Sequence, residues 1–106
     1  MAFDITTKIE NGVAQLTLTG RLDASVAQLF RENVEKAAND KAAKLVLFLE
    51  ELEYMASAGL RVLVFARQKM GREVDIILVA PQDIVRETIE VSGFHQAVKM
   101  VDTYDA

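Results

Sequence analysis

The stretch Lys44–Gly71, KLVLFLEELEYMASAGLRVLVFARQKMG, is the part of the chain around which we expect the rest to be arranged. Its residues Leu45–Leu49 are apolar at every position, and this run ends at Glu50 and Glu51. Such a strand is typical of a largely parallel sheet that is covered on both faces. The pattern therefore predicts a strand flanked by helices, then a short turn, then a long helix.

Ser57 stands just before the long helical pattern, where an N-cap or first-turn residue is expected. The N–H groups of a first helical turn lack partners within the helix, and with the helix dipole they favour negative charge. A phosphate on Ser57 would therefore meet free donors. The alternative is that Ser57 only caps the helix, which contributes about 1 kcal/mol.

The helix after Ser57 has two faces when its residues are advanced by 100° each. The face expected to pack on the sheet carries Gly59, Val62, Leu63, Ala66 and Met70. Gly59 on this face would let the helix backbone approach the strands closely. The opposite face carries Ser57, Arg61, Val64 and Gln68, flanked by Leu60 and Phe65. This face is more apolar than an ordinary solvated surface, so either a partner protein or another part of the chain is expected to cover it.

Composition limits what the protein can be. A chain of 106 residues with 51% hydrophobic residues predicts one folded domain, residues 1–106. Without cysteine, disulfides, thiol catalysis and cysteine zinc sites are excluded. The net charge of -4 argues against nucleic acid and anionic membrane surfaces as partners. The chain has no signal-peptide pattern and no apolar run of about 20 residues, so we expect a cytoplasmic protein.

The chain before Lys44 predicts a hairpin, a loop and a helix. Apolar and polar residues alternate on both sides of Asn11-Gly12. Such a dipeptide favours a type I′ hairpin turn, because both central residues of that turn need a positive φ. Residues 20–23 are expected to form a loop. A helix is expected from about Ala24 to Ala38, capped by Ser25 or Asp23.

The chain after Gly71 completes an alternating pattern. The expected elements are a buried strand over residues 75–80, a helix from Pro81 to about Val91, a last strand over 97–101 and a polar tail over 102–106. One side of that helix carries Ile84, Val85, Thr88 and Ile89, and Ser92-Gly93 ends it. The order ββαβαβαβ predicts an α/β sandwich, in which a mixed β-sheet opens with an antiparallel hairpin and helices pack against it.

Patterns typical of enzymes are missing from the sequence. His95 is the one histidine, there is no glycine-rich phosphate loop, and no GxSxG elbow surrounds Ser57. Glu50, Glu51 and Glu53 form an acidic group that could serve acid–base chemistry or bind a hard cation. Adjacent acids in a turn are more commonly just solvated. We expect them to place negative charge near the start of the Ser57 helix, where a basic partner could recognise it.

Residues Leu49–Leu60, LEELEYMASAGL, resemble the signature of the STAS domain family, specifically of bacterial anti-sigma factor antagonists. In that family an apolar strand leads to an aspartate-serine-serine/alanine-glycine-leucine turn, and the first serine is the phosphorylation site. Ser57 matches that serine, and Gly59-Leu60 match the glycine and leucine. Ala56 stands where the family usually has aspartate.

The resemblance extends over nearly the whole chain. Residues Thr19–Asp23 are similar to a glycine-x-leucine-aspartate loop that lies near the family's partner-binding surface, and Val91–Phe94 match a serine-glycine before its last strand. Together with the helical faces, the resemblance assigns partner binding to Asp23, Met55, Ala56, Ser57, Leu60, Arg61 and Val64.

The resemblance implies partner switching by a protein that catalyses nothing itself and holds no cofactor. The unphosphorylated form would bind an anti-sigma factor that is also a serine kinase, and so release the client of that kinase. The kinase would phosphorylate Ser57 with its own ATP and Mg²⁺, and a metal-dependent serine phosphatase of the PP2C type would reverse this step. Two alternatives stay open: an unmodified STAS scaffold subunit of a transport or signalling assembly, and a small enzyme that uses the glutamates with Ser57.

Overall fold

The structure, a computed structural model, describes residues 2–104. In chain order the elements are β1 (Asp4–Glu10), β2 (Val13–Leu22), α1 (Ala27–Asn39), β3 (Lys44–Phe48), β4 (Leu52–Met55), α2 (Ser57–Met70), β5 (Asp75–Val79), α3 (Asp83–Val91), a 3₁₀ turn (Phe94–Ala97) and β6 (Lys99–Val101). Within residues 2–104, no helix combines the length and the apolar character that crossing a bilayer requires.

The described strands form a six-stranded mixed sheet. Its main order is β1-β2-β3-β5-β6, and β4 pairs with the last residues of β2. β1 and β2 run antiparallel, whereas the pairs β2–β3, β2–β4, β3–β5 and β5–β6 are parallel. Parallel neighbours need crossover connections, and α1, α2 and α3 provide them. The predicted α/β sandwich with an opening hairpin is confirmed.

The hairpin turn has the predicted backbone geometry. Asn11 has a φ of 52° and Gly12 a φ of 78°, as a type I′ turn requires at its two central residues. Glu10 pairs with Val13 directly across this turn, and the pairing continues to Asp4 and Thr19. The hairpin therefore fixes the register of the first two strands.

Two segments predicted to lie outside strands pair with each other. Gly20–Leu22, predicted as a loop, belongs to β2, and Leu52–Met55, predicted within a turn, forms β4. β2 pairs with β3 as far as Thr17 and with β4 from Gly20 onwards, and the β2–β4 register shifts between Gly20 and Arg21. Gly20 has a φ of 86°, and a Cβ there would clash with the carbonyl oxygen of Ala2. A glycine is thus required at the point where β2 passes from one parallel partner to the next.

The first helix begins later than predicted. It starts at Ala27, and neither Ser25 nor Asp23 caps it, since Val26 holds the N-cap position without a side-chain hydrogen bond. The Asp23 carboxylate instead accepts hydrogen bonds from Ser25 within the preceding turn. The last strand also starts two residues later than predicted, at Lys99, because Phe94–Ala97 form the 3₁₀ turn.

The helices pack on one face of the sheet, not on both as predicted. The main hydrophobic core joins β3 residues such as Leu45 and Leu47 to buried residues of all three described helices. A second cluster on the other face contains Val46, Ile77 and Val79, and no residue of those helices. Partly buried residues of the sheet and of the C-terminal segment pack against it: Val13, Phe48, Ala80, Val101 and Tyr104.

Two further expectations need correction. Ile84 was predicted to share the packed side of α3, but it is 55% exposed, whereas Val85 and Ile89 are fully buried. The polar tail predicted over residues 102–106 includes Tyr104, which is half-buried with its ring edge-on to Phe48 at a centroid distance of 6.2 Å. Residues 105–106 lie outside the described residues.

Candidate functional site

Ser57 is the first residue of α2, as predicted, and its side chain is exposed. Ala56 occupies the N-cap position in an extended conformation, and its carbonyl oxygen accepts hydrogen bonds from the N–H groups of Gly59 (3.0 Å) and Leu60 (3.1 Å). In the described part of the chain, the N–H groups of Ser57 and Ala58 have no hydrogen-bond partner. A hydroxyl at this position therefore lies beside two free donors and the positive end of the helix dipole.

The paired ends of β2 and β4 hold this helix start in place. Leu22 and Met55 are opposite each other in the parallel pair, and the Ala56 N–H donates to the Leu22 carbonyl at 2.8 Å. Because parallel strands end at the same edge of a sheet, Asp23 follows β2 at the edge where Ser57 follows β4. This pairing brings together two residues that the sequence resemblance assigned separately to the partner surface.

Gly59 sets how closely α2 approaches the sheet, as predicted. A Cβ on Gly59 would lie 2.7 Å from Leu22 Cδ2 and 3.2 Å from Met55 Cγ. The first distance is far below ordinary van der Waals contact and the second is tighter than most real Cβ contacts, so only glycine fits without displacing its neighbours. Met55 itself is 2% exposed. Its side chain belongs to the core and cannot contact a partner, so Met55 is removed from the predicted docking surface.

The outer face of α2 is covered in part by the same chain. Arg31 of α1 places its guanidinium 4.1 Å from the ring centroid of Phe65, which is half-buried. Leu60 is also half-buried and packs against the main core. Arg61 and Val64 are exposed. The outer face was expected to be covered either by another part of the chain or by a partner protein. Helix α1 covers the Phe65 flank, and the strip from Ser57 to Val64 is left accessible.

A shallow groove of about 200 Å³ runs between α1 and α2, beginning beside the Ser57 turn. It is lined by Ala27, Gln28, Arg31, Ala58, Arg61, Val62 and Phe65. Arg31 and Arg61 bring two guanidinium groups to this groove on a chain of net negative charge. Sequence reasoning found Arg61 but missed Arg31, because the contact between α1 and α2 leaves no local pattern in the sequence.

Asp23 is exposed and ionised at the edge of this site. Its carboxylate accepts hydrogen bonds from the Ser25 hydroxyl at 2.5 Å and from the Ser25 N–H at 2.9 Å. These bonds favour the charged form of the carboxylate and so hold the pKa of Asp23 below its usual value. The hydrogen bond from the Ser25 hydroxyl has the largest effect. The positive charge of neighbouring Arg21 lowers the pKa of Asp23 slightly further. The Arg21 guanidinium stacks on Tyr54, with its Cζ atom 4.4 Å from the ring centroid. Asp23 therefore contributes a fixed negative charge at neutral pH.

Glu50 and Glu51 lie farther from the start of α2 than predicted, whereas Glu53 lies within β4. Glu50 and Glu51 precede β4, whereas Ser57 follows it, and a four-residue strand spans about 13 Å. Within residues 2–104, no three side chains of the types that ligate metals converge on one point, so the glutamates do not form a cation site in this part of the chain. His95 is half-buried in the 3₁₀ turn.

A sequence model of the STAS domain matches residues 4–106. The chain belongs to the STAS domain family. This STAS domain is also similar to the anti-sigma-F factor antagonist RsfB of Mycobacterium tuberculosis, with 28% identity over 99 residues that cover 93% of this chain and 81% of RsfB.

Solved structures show the same fold. An anti-sigma factor antagonist from Mycobacterium paratuberculosis matches this STAS domain with a TM-score of 0.88 and 23% identity, covering 98% of this chain and 89% of that one. SpoIIAA, an anti-sigma factor antagonist, matches in its unphosphorylated form with a TM-score of 0.78 and 21% identity, covering 93% of this chain and 87% of SpoIIAA. SpoIIAA in its phosphorylated form, described as a Bacillus cell fate determinant, matches with a TM-score of 0.71 and 20% identity, covering 93% of this chain and 90% of that one.

Proposed function

We propose that this STAS domain is an anti-sigma factor antagonist that works by partner switching and has no catalytic activity of its own. The observation that carries the proposal is the exposed Ser57 at the first position of α2, beside two free N–H groups. The likeness to RsfB, a named anti-sigma factor antagonist, over 93% of this chain supports the same reading.

In this proposal the unphosphorylated domain binds an anti-sigma factor that is also a serine kinase, and the bound kinase releases its client. The docking surface consists of Asp23, Ala56, Ser57, Leu60, Arg61 and Val64, from the two strand ends and the outer face of α2. Its chemistry is mixed: the exposed Val64 supplies apolar area, while Asp23 and Arg61 supply charges of opposite sign. Such a surface favours a partner with an apolar centre and charged groups at the rim.

Phosphorylation of Ser57 would weaken this complex by charge. A phosphoserine carries about -1.5 to -2 charges, and docking would remove water from them beside Leu60 and Val64. In the free protein the phosphate oxygens can accept from the N–H groups of Ser57 and Ala58, and Arg61 lies one helical turn away. These contacts lie within the domain and hold the phosphate in place, whereas the water around the phosphate is lost only on docking, so phosphorylation shifts the equilibrium towards release.

The alanine at position 56 strengthens the interaction between a Ser57 phosphate and the start of α2. An aspartate at the N-cap position would accept from the N–H groups of the first turn and place a negative charge beside the serine. Ala56 has no such group, so the free donors are left for the phosphate. The kinase supplies ATP and Mg²⁺ from its own site, and a PP2C-type serine phosphatase removes the phosphate. Both partners and the domain would act in the cytoplasm, without nucleic acid or membrane.

The test compares two substitutions at one position. Ser57→Ala keeps the surface uncharged, so its affinity for the cognate anti-sigma factor should stay within about threefold of the original. Ser57→Asp adds a charge that docking must desolvate, so it should weaken binding by at least tenfold, or about 1.4 kcal/mol. Isothermal titration calorimetry with the purified anti-sigma factor measures both values.

Gln68→Glu is the matched control, since it adds one negative charge on the exposed face of α2 about three turns from Ser57. It should bind like the original chain. Equal affinities of the Ser57→Ala and Ser57→Asp variants would overturn the charge mechanism. Mass spectrometry after incubation with that kinase and ATP should find phosphate on Ser57, and its absence would favour the unmodified scaffold role instead.

A further inference from the structure

The outer edge of β1 is unpaired within residues 2–104. β1 stands at one end of the sheet, and in the described part of the chain it pairs with β2 alone. The strand is seven residues long, whereas β6 at the other edge has three. A long, regular edge strand presents a row of free N–H and C=O groups that another strand can pair with. An exposed edge of this length is therefore expected either to pair with another strand or to carry features that prevent such pairing.

The sequence of β1 is complementary to itself. When two β1 strands are placed antiparallel with Thr6 opposite Thr6, Asp4 of one copy lies opposite Lys8 of the other, and Ile5 lies opposite Thr7. Phe3 then faces Ile9. Opposite charges and threonine pairs directly across an antiparallel pair are favourable. A shift of the register by two residues in one direction would set Asp4 opposite Glu10, which is a repulsive pair of like charges, and in the other direction it would set Asp4 opposite Thr6, so that no opposite charges pair.

Within residues 2–104, Asp4 and Lys8 of β1 do not form strong ion pairs. Asp4 makes no ion pair with another described residue, and Lys8 lies 3.6 Å from Glu10 in a pair whose side chains are both 65% exposed. An exposed pair of this kind contributes little. Asp4 and Lys8 cannot meet within one chain, because four residues along a strand span about 13 Å. Antiparallel pairing of two copies, by contrast, places Asp4 of each copy opposite Lys8 of the other.

The flank of α1 beside this edge is apolar and uncovered. Leu29 and Arg31 are two residues apart, so they lie about 200° apart around the helix. Because Arg31 stacks on Phe65 of α2, Leu29 faces away from α2, and it is 43% exposed. Asn33, one turn further on, accepts a hydrogen bond from the Thr7 hydroxyl at its Oδ1 atom, and its Nδ2 atom donates to the Leu29 carbonyl at 2.8 Å. These bonds place the Leu29 flank of α1 beside β1.

We propose that two copies of this chain form a dimer by pairing their β1 strands antiparallel, with the two-fold axis passing between the two Thr6 residues. That axis stands perpendicular to the sheet, so the two α1 helices lie on the same face and bring the two Leu29 side chains towards each other. The half-buried Ile5 and Ile9 lie on this face as well and gain cover from the second copy. The pairing uses the flank of α1 that faces away from α2, so it leaves Ser57 free and does not depend on the proposed function.

Charge reversal tests the pairing and its register. Sedimentation equilibrium of the purified chain should show a monomer–dimer equilibrium. Asp4→Lys and Lys8→Asp should each weaken the dimer at least tenfold, because each places like charges opposite one another twice. A mixture of the two variants should dimerise as tightly as the original chain, since every charged pair in the mixed dimer is attractive again. Glu90 is an exposed residue of α3, and Glu90→Lys makes the same charge change as Asp4→Lys. It should have no effect on dimerisation.

Three results would overturn the proposal. The first is a chain that stays monomeric at all concentrations reached. The second is a dimer that withstands both charge reversals, which would place the interface on another surface, such as the exposed Ile84 and Val91 of α3. The third is a mixture of the two variants that stays monomeric, which would exclude the Asp4–Lys8 register. Circular dichroism of each variant would establish that the monomers are folded.

Discussion

Gly59 controls the position of the helix that carries Ser57. Alanine is normally favoured over glycine in a helix by about 1 kcal/mol. At this position, however, an added Cβ would lie 2.8 Å from Cγ of Leu22, which is fully buried, so any shift of that side chain would disturb the core. Overpacking of this kind costs about 1 to 3 kcal/mol. We therefore expect Gly59→Ala to lower the free energy of unfolding by about 1 kcal/mol, as measured by urea denaturation.

A second substitution isolates the cause. Leu22→Ala removes the atoms that the new Cβ would strike, at a cost of about 2 to 5 kcal/mol for the cavity. In the Leu22→Ala background, Gly59→Ala should be neutral or stabilising, because helix propensity is then the main effect left. If Gly59→Ala destabilised both backgrounds equally, close approach to Leu22 would not be the reason for the glycine.

Ser57 and Gly59 could be placed from the sequence because their signals are local. A serine before a long helical period marks a helix start, and a glycine on the inner face of that helix marks a close approach. Met55 and Arg31 could not be placed in this way. The burial of Met55 depends on strand pairing with β2, and the contact of Arg31 with Phe65 depends on how two helices cross.

Arg67 joins three elements at the far end of α2. Its guanidinium donates to the carbonyl oxygens of Gly71 (2.9 Å), Val74 (2.7 Å) and Ala97 (2.6 Å). The first two fix the connection to β5, and the third fixes the 3₁₀ turn before β6. Charge-assisted hydrogen bonds to partly buried carbonyls are worth more than neutral ones, and their loss leaves acceptors without partners.

We expect Arg67→Met to lower the free energy of unfolding by about 2 to 3 kcal/mol. It should also speed amide hydrogen exchange in residues 94–101, which this side chain ties to α2. Arg72→Met is the control, because Arg72 is exposed, and it should change stability by less than about 0.5 kcal/mol. Unchanged exchange in residues 94–101 of the Arg67 variant would contradict the role given to the Ala97 hydrogen bond.

Elements with local signals were predictable, and those that depend on each other were not. β3 and β5 are continuous apolar runs, and Asn11-Gly12 marks the hairpin without reference to anything else. β4 has four residues and follows two glutamates, so alone it resembles a turn. The end of β2 resembles a loop because Gly20 interrupts it. Each becomes a strand only by pairing with the other across more than thirty residues, which is a contact that no local pattern encodes.

At the scale of the whole molecule, the two faces of the sheet are covered by different parts of the chain. An apolar strand such as β3 shows that both faces are covered but not by what, so helices on both sides were a reasonable expectation. In the structure the second face is closed partly by the segment after β6. The Tyr104 ring lies edge-on to Phe48, and Lys44 Nζ lies 5.8 Å from the Tyr104 centroid. A residue predicted to belong to a polar tail thus serves as cover for a core.

We expect Tyr104→Ala to lower the free energy of unfolding by about 2 kcal/mol, combining the loss of an aromatic pair with the exposure of half-buried apolar area. Tyr104→Phe keeps the ring and should stay within about 0.5 kcal/mol of the original chain. Thermal and urea unfolding of both variants would measure the difference. If the two variants were equally stable, the second face would owe its cover to other residues. Because this face lies opposite α2, a loss of stability in Tyr104→Ala should leave the affinity for the anti-sigma factor unchanged at temperatures where the variant is folded.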